Sequence, residues 1–190
     1  MELVEDTALK LDCPSDIAKT IHSYIDKSEI LADNNGLAQV VVYFGIKEMQ
    51  RLATIAPLDI KLPSPIESQY DWPGMFKPFD HQRDTSRFLT LHKRAFCFNE
   101  AGTGKTSAAI WAADYLMKLG KVRRVLILCP LSIMHSAWMG DINNSIIHRS
   151  AVIAHHAQAS RRIEMIQRDY EIVITNYEGL NLIANEVDND

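Results

Sequence analysis

The sequence predicts an α/β protein: a parallel sheet flanked by helices, preceded by a small α+β appendage. Three observations lead there. From Phe79 onward, apolar strand-like runs alternate with helix-like stretches, the pattern of a doubly wound parallel sheet. One of those runs, residues 124–129, is nearly all apolar after its first residue, as central parallel strands are. A glycine-rich loop at 101–106 falls between a predicted strand and a predicted helix.

The bulk numbers agree. The chain has 190 residues, 47% of them hydrophobic. That suffices for one packed α/β domain, or one domain with an appendage. No apolar run approaches the roughly 20 residues of a membrane span. The N-terminus is acidic and lacks the basic-then-apolar layout of a signal peptide, so we expect a cytoplasmic protein. Cys13, Cys97 and Cys129 are far apart and form no metal-binding or disulfide spacing; Cys97 and Cys129 sit in apolar runs and read as buried thiols. The net charge of −4 is unevenly spread. Residues 1–71 carry 6 basic and 12 acidic side chains, and residues 72–190 carry 14 basic and 12 acidic. Neither half is strongly basic, so nucleic-acid contact must be argued from particular positions.

Taken in order, the elements begin with a helix from Ser15, which can act as its cap, with Ile17, Ile21, Tyr24 and Ile25 at helical spacing. Asn34-Asn35-Gly36 signals a turn. Residues 39–44 are β-branched and aromatic and read as a strand. Residues 46–55 read as a helix with Met49, Leu52 and Ile55 on one face. Residues 1–61 are thus expected to form an αβα accessory segment. Residues 62–78 hold Pro63, Pro65, Pro73, Gly74 and Pro78 and read as a linker. The main domain is expected over 79–190. In it we expect a helix over 80–93 and a short strand over 95–98, followed by the glycine loop and a helix to about Leu119. Strands are then expected over 124–129, 151–154 and 171–175, with helices between them.

Ala101-Gly102-Thr103-Gly104-Lys105-Thr106, opening a helix after a strand, is the pattern of a P-loop. Glycines let successive backbone N–H groups turn toward one anion. The helix N-terminus adds unpaired donors and the positive dipole end. Lys105 is placed to reach the outer phosphates of a nucleoside triphosphate, and Thr106 to offer a hydroxyl to Mg²⁺. Where the strict pattern has a further glycine, this chain has Asn99, followed by Glu100.

Four segments then line up in order: Lys77-Pro78-Phe79-Asp80-His81-Gln82, the loop from Asn99 to Thr106, Leu126-Ile127-Leu128-Cys129-Pro130-Leu131-Ser132, and Ile172-Val173-Ile174-Thr175-Asn176-Tyr177-Glu178. The series resembles the first RecA-like lobe of superfamily-2 helicases, most closely the Swi/Snf-type DNA translocases. The resemblance implies an ATP-binding lobe using Mg²⁺, with Lys105 as the catalytic lysine. It implies that Gln82 reads the adenine edge, which suits an amide that both donates and accepts. Phe79 either packs on the base or belongs to the core. Pro130, Leu131 and Ser132, with Thr175 and Asn176, match segments that contact the DNA backbone. Ser132 could equally cap the next helix, and Asn176 could serve a turn. The implied partner is double-stranded DNA, bound without sequence preference.

The resemblance also sets what is missing. Relatives carry an Asp-Glu-x-His motif soon after the fourth segment, and then a whole second lobe. Neither follows here, so we expect a truncated motor that is inactive alone. Small N-terminal additions accompany some phage and bacterial relatives, which suggests a bacterial or phage-infected host cell. Two other readings stay open: another P-loop ATPase, such as a ring ATPase, and a short non-catalytic module that binds nucleotide or a partner. His155-His156 is no metal pair, because adjacent strand residues face opposite ways. Trp111 reads as core.

Overall fold

The computed structural model describes residues 1–57 and 60–180. The chain divides into two compact units. The first holds Met1–Tyr70 and Arg83–Phe98, and the second holds Asp71–Gln82 and the chain from Asn99 onward.

The first unit is built on a four-stranded antiparallel sheet of β1 (Glu2–Val4), β2 (Ala8–Pro14), β3 (Ser28–Asn34) and β4 (Leu37–Tyr43), in the order β1-β2-β4-β3. Helix α1 (Ser15–Tyr24) leaves β2, and α2 (Ile46–Ile55) follows β4. Strand β4 alternates buried and open positions: Ala38, Val40 and Val42 face inward. Ala18 and Ile21 of α1, with Met49 and Leu52 of α2, join them in one core with Leu9, Phe44 and Leu62. The Asn-Asn-Gly signal is a two-residue hairpin: Asn34 pairs with Leu37, and Asn35 and Gly36 take φ of 53° and 84°. Both angles are positive, as a type I′ turn requires.

The αβα expectation for this segment is corrected, since three strands escaped it. Strand β1 is short, and its turn into β2 runs through Glu5 and Asp6 at positive φ, residue types that do not announce such a turn. Strand β3 is an edge strand, mostly exposed and bulged near Ile30, so it has little apolar alternation to read. Nor does Ser15 cap α1. The cap position is Pro14, and the Ser15 hydroxyl donates instead to Asp33.

The proline-rich stretch is no solvated tether. Leu62, Ser64, Ile66 and Tyr70 are buried in the first unit, where a short helix α3 (Ile66–Gln69) forms. The Ser64 and Thr90 hydroxyls meet at 2.8 Å, and Arg87 donates to the Leu62 carbonyl at 2.7 Å. In the second unit, Trp72 packs edge-on against Trp111 at 5.9 Å. Prolines bar regular hydrogen bonding, but they do not stop their neighbours from being buried.

Helix α4 (Asp80–Leu91) forms as expected. The strand expected over 95–98 does not: those residues take no strand structure, and Phe96 and Phe98 are 81% and 89% exposed, their rings stacked on each other at 5.8 Å. An apolar run becomes a strand only where another strand pairs with it, and the described parallel sheet holds three strands and not this one. Cys97 is accordingly only half buried, whereas Cys129 is buried and its thiol is pushed up by that burial.

That sheet comprises β5 (Val125–Leu128), β6 (Ala151–Ile153) and β7 (Ile172–Thr175), all parallel, in the order β5-β7-β6. Around it lie α5 (Lys105–Lys118), the run α6 (Leu131–Ile133), a π-turn (Met134–Met139) and α7 (Gly140–Ser145), and α8 (Ala159–Gln167). The fold class is the one the sequence predicts, with the helix after β5 running on to Ser145. At the amino-terminal end of the sheet, Arg149 donates to Asp114 of α5 and to Glu171, both at 2.6 Å. Burial alone would lower the Arg149 pKa, but these two hydrogen bonds outweigh it and raise it.

Candidate functional site

The glycine loop leads directly into α5. Gly102 and Gly104 have φ of 77° and 72°, the left-handed region that glycine enters without a Cβ clash. The bend is closed by its own side chains. The Thr103 hydroxyl donates to the Glu100 carbonyl at 2.9 Å. Lys105 folds back so that Nζ donates to the carbonyls of Asn99 (2.8 Å) and Glu100 (2.6 Å). Helix α5 has no side-chain cap and no acidic residue in its first turn. Its N-terminus therefore keeps backbone donors and the positive dipole end directed into the loop. Thr106 lies in that first turn, half buried, and the next hydroxyl, Ser107, donates to Asp141 at 3.0 Å.

The turn before α4 is brought onto this loop. Gln82 is buried, and its Oε1 accepts the Phe79 N–H at 2.9 Å. Its amide lies so close to Gly104 that a Cβ there would stand 2.0 Å from Nε2. Glycine at 104 thus suits the loop in two ways: it takes the backbone angle, and it leaves room for the neighbouring amide. A second contact was not foreseen from sequence: His81 Nε2 meets the Thr103 carbonyl at 3.0 Å. Only its position beside Gln82 hinted at it. Phe79 is 69% exposed and stacks on His81 at 5.7 Å, so of its two readings the core one falls.

The remaining candidates sit at the carboxyl end of the sheet. Leu128 of β5 pairs with Thr175 of β7, so Pro130-Leu131-Ser132 and Thr175-Asn176 leave the sheet at the same end. Open α/β sheets bind their ligands at that end. The two segments present different surfaces. Pro130, Leu131 and Ser132 are exposed. The α6 cap position is Pro130, without a side-chain cap, so Ser132 does not serve as one. Thr175 is fully buried, and its hydroxyl donates to the Ala154 carbonyl at 3.1 Å. Asn176 is buried too: Oδ1 accepts the Gly179 N–H at 3.2 Å and caps the 3₁₀ turn Tyr177–Gly179. Tyr177, which follows, is exposed. Among the described residues no group of three metal-ligating side chains comes together.

A parallel sheet flanked by helices, one of them opened by a glycine loop that an upstream glutamine touches, places the second unit among the α/β proteins that carry ligands on loops. Comparison with known families narrows this. The SNF2-related domain family matches residues 81–189, more than half of the sequence, and the chain belongs to that family. The Swi/Snf-type resemblance carried by the four segments is thereby borne out, and the ring-ATPase alternative is set aside. Among solved structures, the chain is similar to the Sulfolobus solfataricus SWI2/SNF2 ATPase core in complex with dsDNA. The identity is 26% and the TM-score 0.38, over 43% of this chain and 16% of that one. The chain thus spans about a sixth of the length of that solved relative. A search of curated proteins gave no match.

Proposed function

We propose that this chain is the ATP-binding N-terminal part of a Swi/Snf-like DNA translocase or helicase, with residues 1–61 as an accessory segment and the nucleotide lobe over 79–190. The observation that carries the reading is the contact between Gln82 and Gly104. It sets an amide able to recognise one base edge against a loop suited to phosphate, which is what a bound nucleoside triphosphate needs at its two ends.

Each residue then has a stated task. The loop from Asn99 to Thr106 wraps the phosphates through backbone N–H groups, with Gly102 and Gly104 supplying the bend. The Lys105 ammonium exchanges two neutral carbonyls for charged phosphate oxygens, which adds the attraction of opposite charges to bonds whose donor is already ionised. Gln82 pairs with adenine, and the exposed Phe79–His81 stack offers a face for the ring. Thr106 would offer one hydroxyl oxygen to Mg²⁺, which would supply neutralisation of the phosphate charge. On the DNA side, Pro130, Leu131 and Ser132 present the exposed contact surface. Thr175 and Asn176 shape the neighbouring turn and position Tyr177 beside it. Such contacts go to phosphates and ignore sequence.

Calorimetry tests the nucleotide half. The chain binds ATP in preference to GTP, Lys105→Ala abolishes binding, and Gln82→Ala removes the preference. Undiminished ATP affinity in Lys105→Ala would sink the assignment of the loop. Equal affinity of the parent chain for ATP and GTP would remove Gln82 from its role.

A further inference from the structure

The first unit contains a concavity of about 600 Å³ whose wall is cationic. Lys47 and Arg51 reach it from α2, one helical turn apart on the same face, and His92, Lys93 and Arg94 from the segment just after α4. Tyr24, 47% exposed, stands at the rim. No aspartate or glutamate lines it among the described residues. The unit that holds it, Met1–Tyr70 and Arg83–Phe98, is slightly acidic as a whole, with 12 acidic and 10 basic side chains.

The positions of these cations are not explained by local structure. Lys47 lies in the first turn of α2, where the helix dipole disfavours positive charge. Beyond α4, His92 Nδ1 already meets the Phe88 carbonyl at 2.8 Å, so Lys93 and Arg94 are not needed to close the helix end. Arg51, half-buried, binds the exposed Asp26 at 2.9 Å, and Asp26 itself does not line the wall. Lys47, Lys93 and Arg94 are exposed and form no ion pair among the described residues.

We propose that this pocket binds the phosphodiester backbone of DNA, giving the chain a second DNA contact separate from the strand ends of the parallel sheet. The uncharged amide and hydroxyl of the wall are committed elsewhere: Gln50 donates to the Thr90 carbonyl, and Thr54 to the Gln50 carbonyl. What is left to meet a ligand is charge, spread over two segments, with one aromatic ring at the edge. That suits a repeating chain of phosphates better than a single compact phosphate, which is gripped by clustered backbone N–H groups. A tyrosine beside cations also suits sugars and bases irrespective of sequence. The choice of DNA over other polyanions rests on the motor reading above.

The test uses the full 190-residue chain and a short labelled duplex, followed by fluorescence anisotropy from low to physiological salt. A triple variant, Lys47→Gln, Lys93→Gln and Arg94→Gln, is compared with an equal-charge control, Lys10→Gln, Lys19→Gln and Lys121→Gln. The pocket variant binds about tenfold or more weakly at low salt, and its slope of log K against log salt falls by ~0.9 for each phosphate no longer neutralised, about 2–3 in all. The control changes little, and both variants keep the parent's circular dichroism and ATP affinity. Equal weakening in the two variants, or none in the pocket variant, overturns the proposal. So does polyglutamate that competes as well as duplex charge for charge, since the pocket would then be an acidic-protein surface. Absence of duplex binding by the parent at low salt also overturns it. ATP binding that survives any of these results leaves the nucleotide assignment standing, so the two readings fail separately.

Discussion

Replacing Gly104 with alanine tests the geometry on which the nucleotide assignment stands. Two independent costs are visible. At φ 72° an L-residue sits in the left-handed region, at a cost of roughly 1–2 kcal/mol. The new methyl would also stand 2.0 Å from Gln82 Nε2, so the amide must move. Moving it gives up the bond from the Phe79 N–H to Gln82 Oε1, worth about 1 kcal/mol. Together the substitution should destabilise the second unit by about 2–3 kcal/mol. All three tryptophans, Trp72, Trp111 and Trp138, belong to that unit, so fluorescence excited selectively at tryptophan reports its unfolding without contribution from the tyrosines of the first. With a urea dependence of about 2 kcal/mol per molar, the midpoint should fall by about 1 M. Because the displaced group is the proposed adenine reader, discrimination between ATP and GTP should fall with it. A midpoint shift below about 0.2 M together with intact discrimination would refute both the left-handed loop and the Gln82 contact.

Three further outcomes concern the second unit. Arg149→Met removes the 2.6 Å ion pair from the Asp114 carboxylate, which is 2% exposed, and should cost about 3 kcal/mol in chemical denaturation, within the range for breaking a buried ion pair. Glu171 is held below the usual carboxylate range, first by the Ser150 backbone N–H and then, against its burial, by Arg149. A depressed carboxyl stabilises the fold above its unfolded pKa and loses that contribution as pH falls through the folded value. Denaturation midpoints should therefore drop on acidification below about pH 4, and the drop should be smaller in Glu171→Gln. Finally, Thr175→Val strips a buried hydroxyl from the Ala154 carbonyl and should cost about 1–2 kcal/mol of stability, whereas Ser132→Glu should leave stability unchanged and weaken duplex binding; the opposite pattern would show that the contact roles have been exchanged.

How much of this was legible in the sequence depends on whether each signal is local. Helix α5 and strands β5, β6 and β7 were legible because period and punctuation state them outright: a glycine loop, then an apolar face, then short β-branched runs. Of the β3–β4 hairpin only the turn was legible, from Asn-Asn-Gly, together with β4 itself. Strand β2 carried a readable alternation at Leu9, Leu11 and Cys13, but without a recognisable turn before it the partner β1 could not be placed. The run at 95–98 misled because an apolar segment declares only its hydrophobicity, and its pairing depends on strands distant in sequence. In the site, the glycines, Lys105 and Gln82 could be picked out from motif order alone. The His81 contact with Thr103 could not, since it joins residues 22 apart through a carbonyl that any residue type could supply.

The buried state of Thr175 and Asn176 separates two kinds of constraint that motif order alone merges. A residue type can be demanded at the end of a strand because it touches the ligand, or because it holds the backbone that does. Thr175 returns its hydroxyl to the neighbouring strand's chain, and Asn176 spends its carboxamide on the turn that follows. Neither side chain has an exposed group to give a phosphate. Yet both fix where Tyr177 emerges and how the chain leaves the sheet beside Pro130, Leu131 and Ser132. The same division runs through the glycine loop. Thr103 and the two left-handed glycines shape it, while Lys105 carries a charge that is held by two carbonyls and can be handed to a stronger acceptor. On the proposed reading, residues bonded into the backbone shape each of these sites, and one adjacent side chain, Lys105 or the exposed Tyr177, is left to meet the ligand. That is the arrangement expected where a ligand must be held tightly and then released, because the cost of ordering the loop is met by the fold before the ligand arrives.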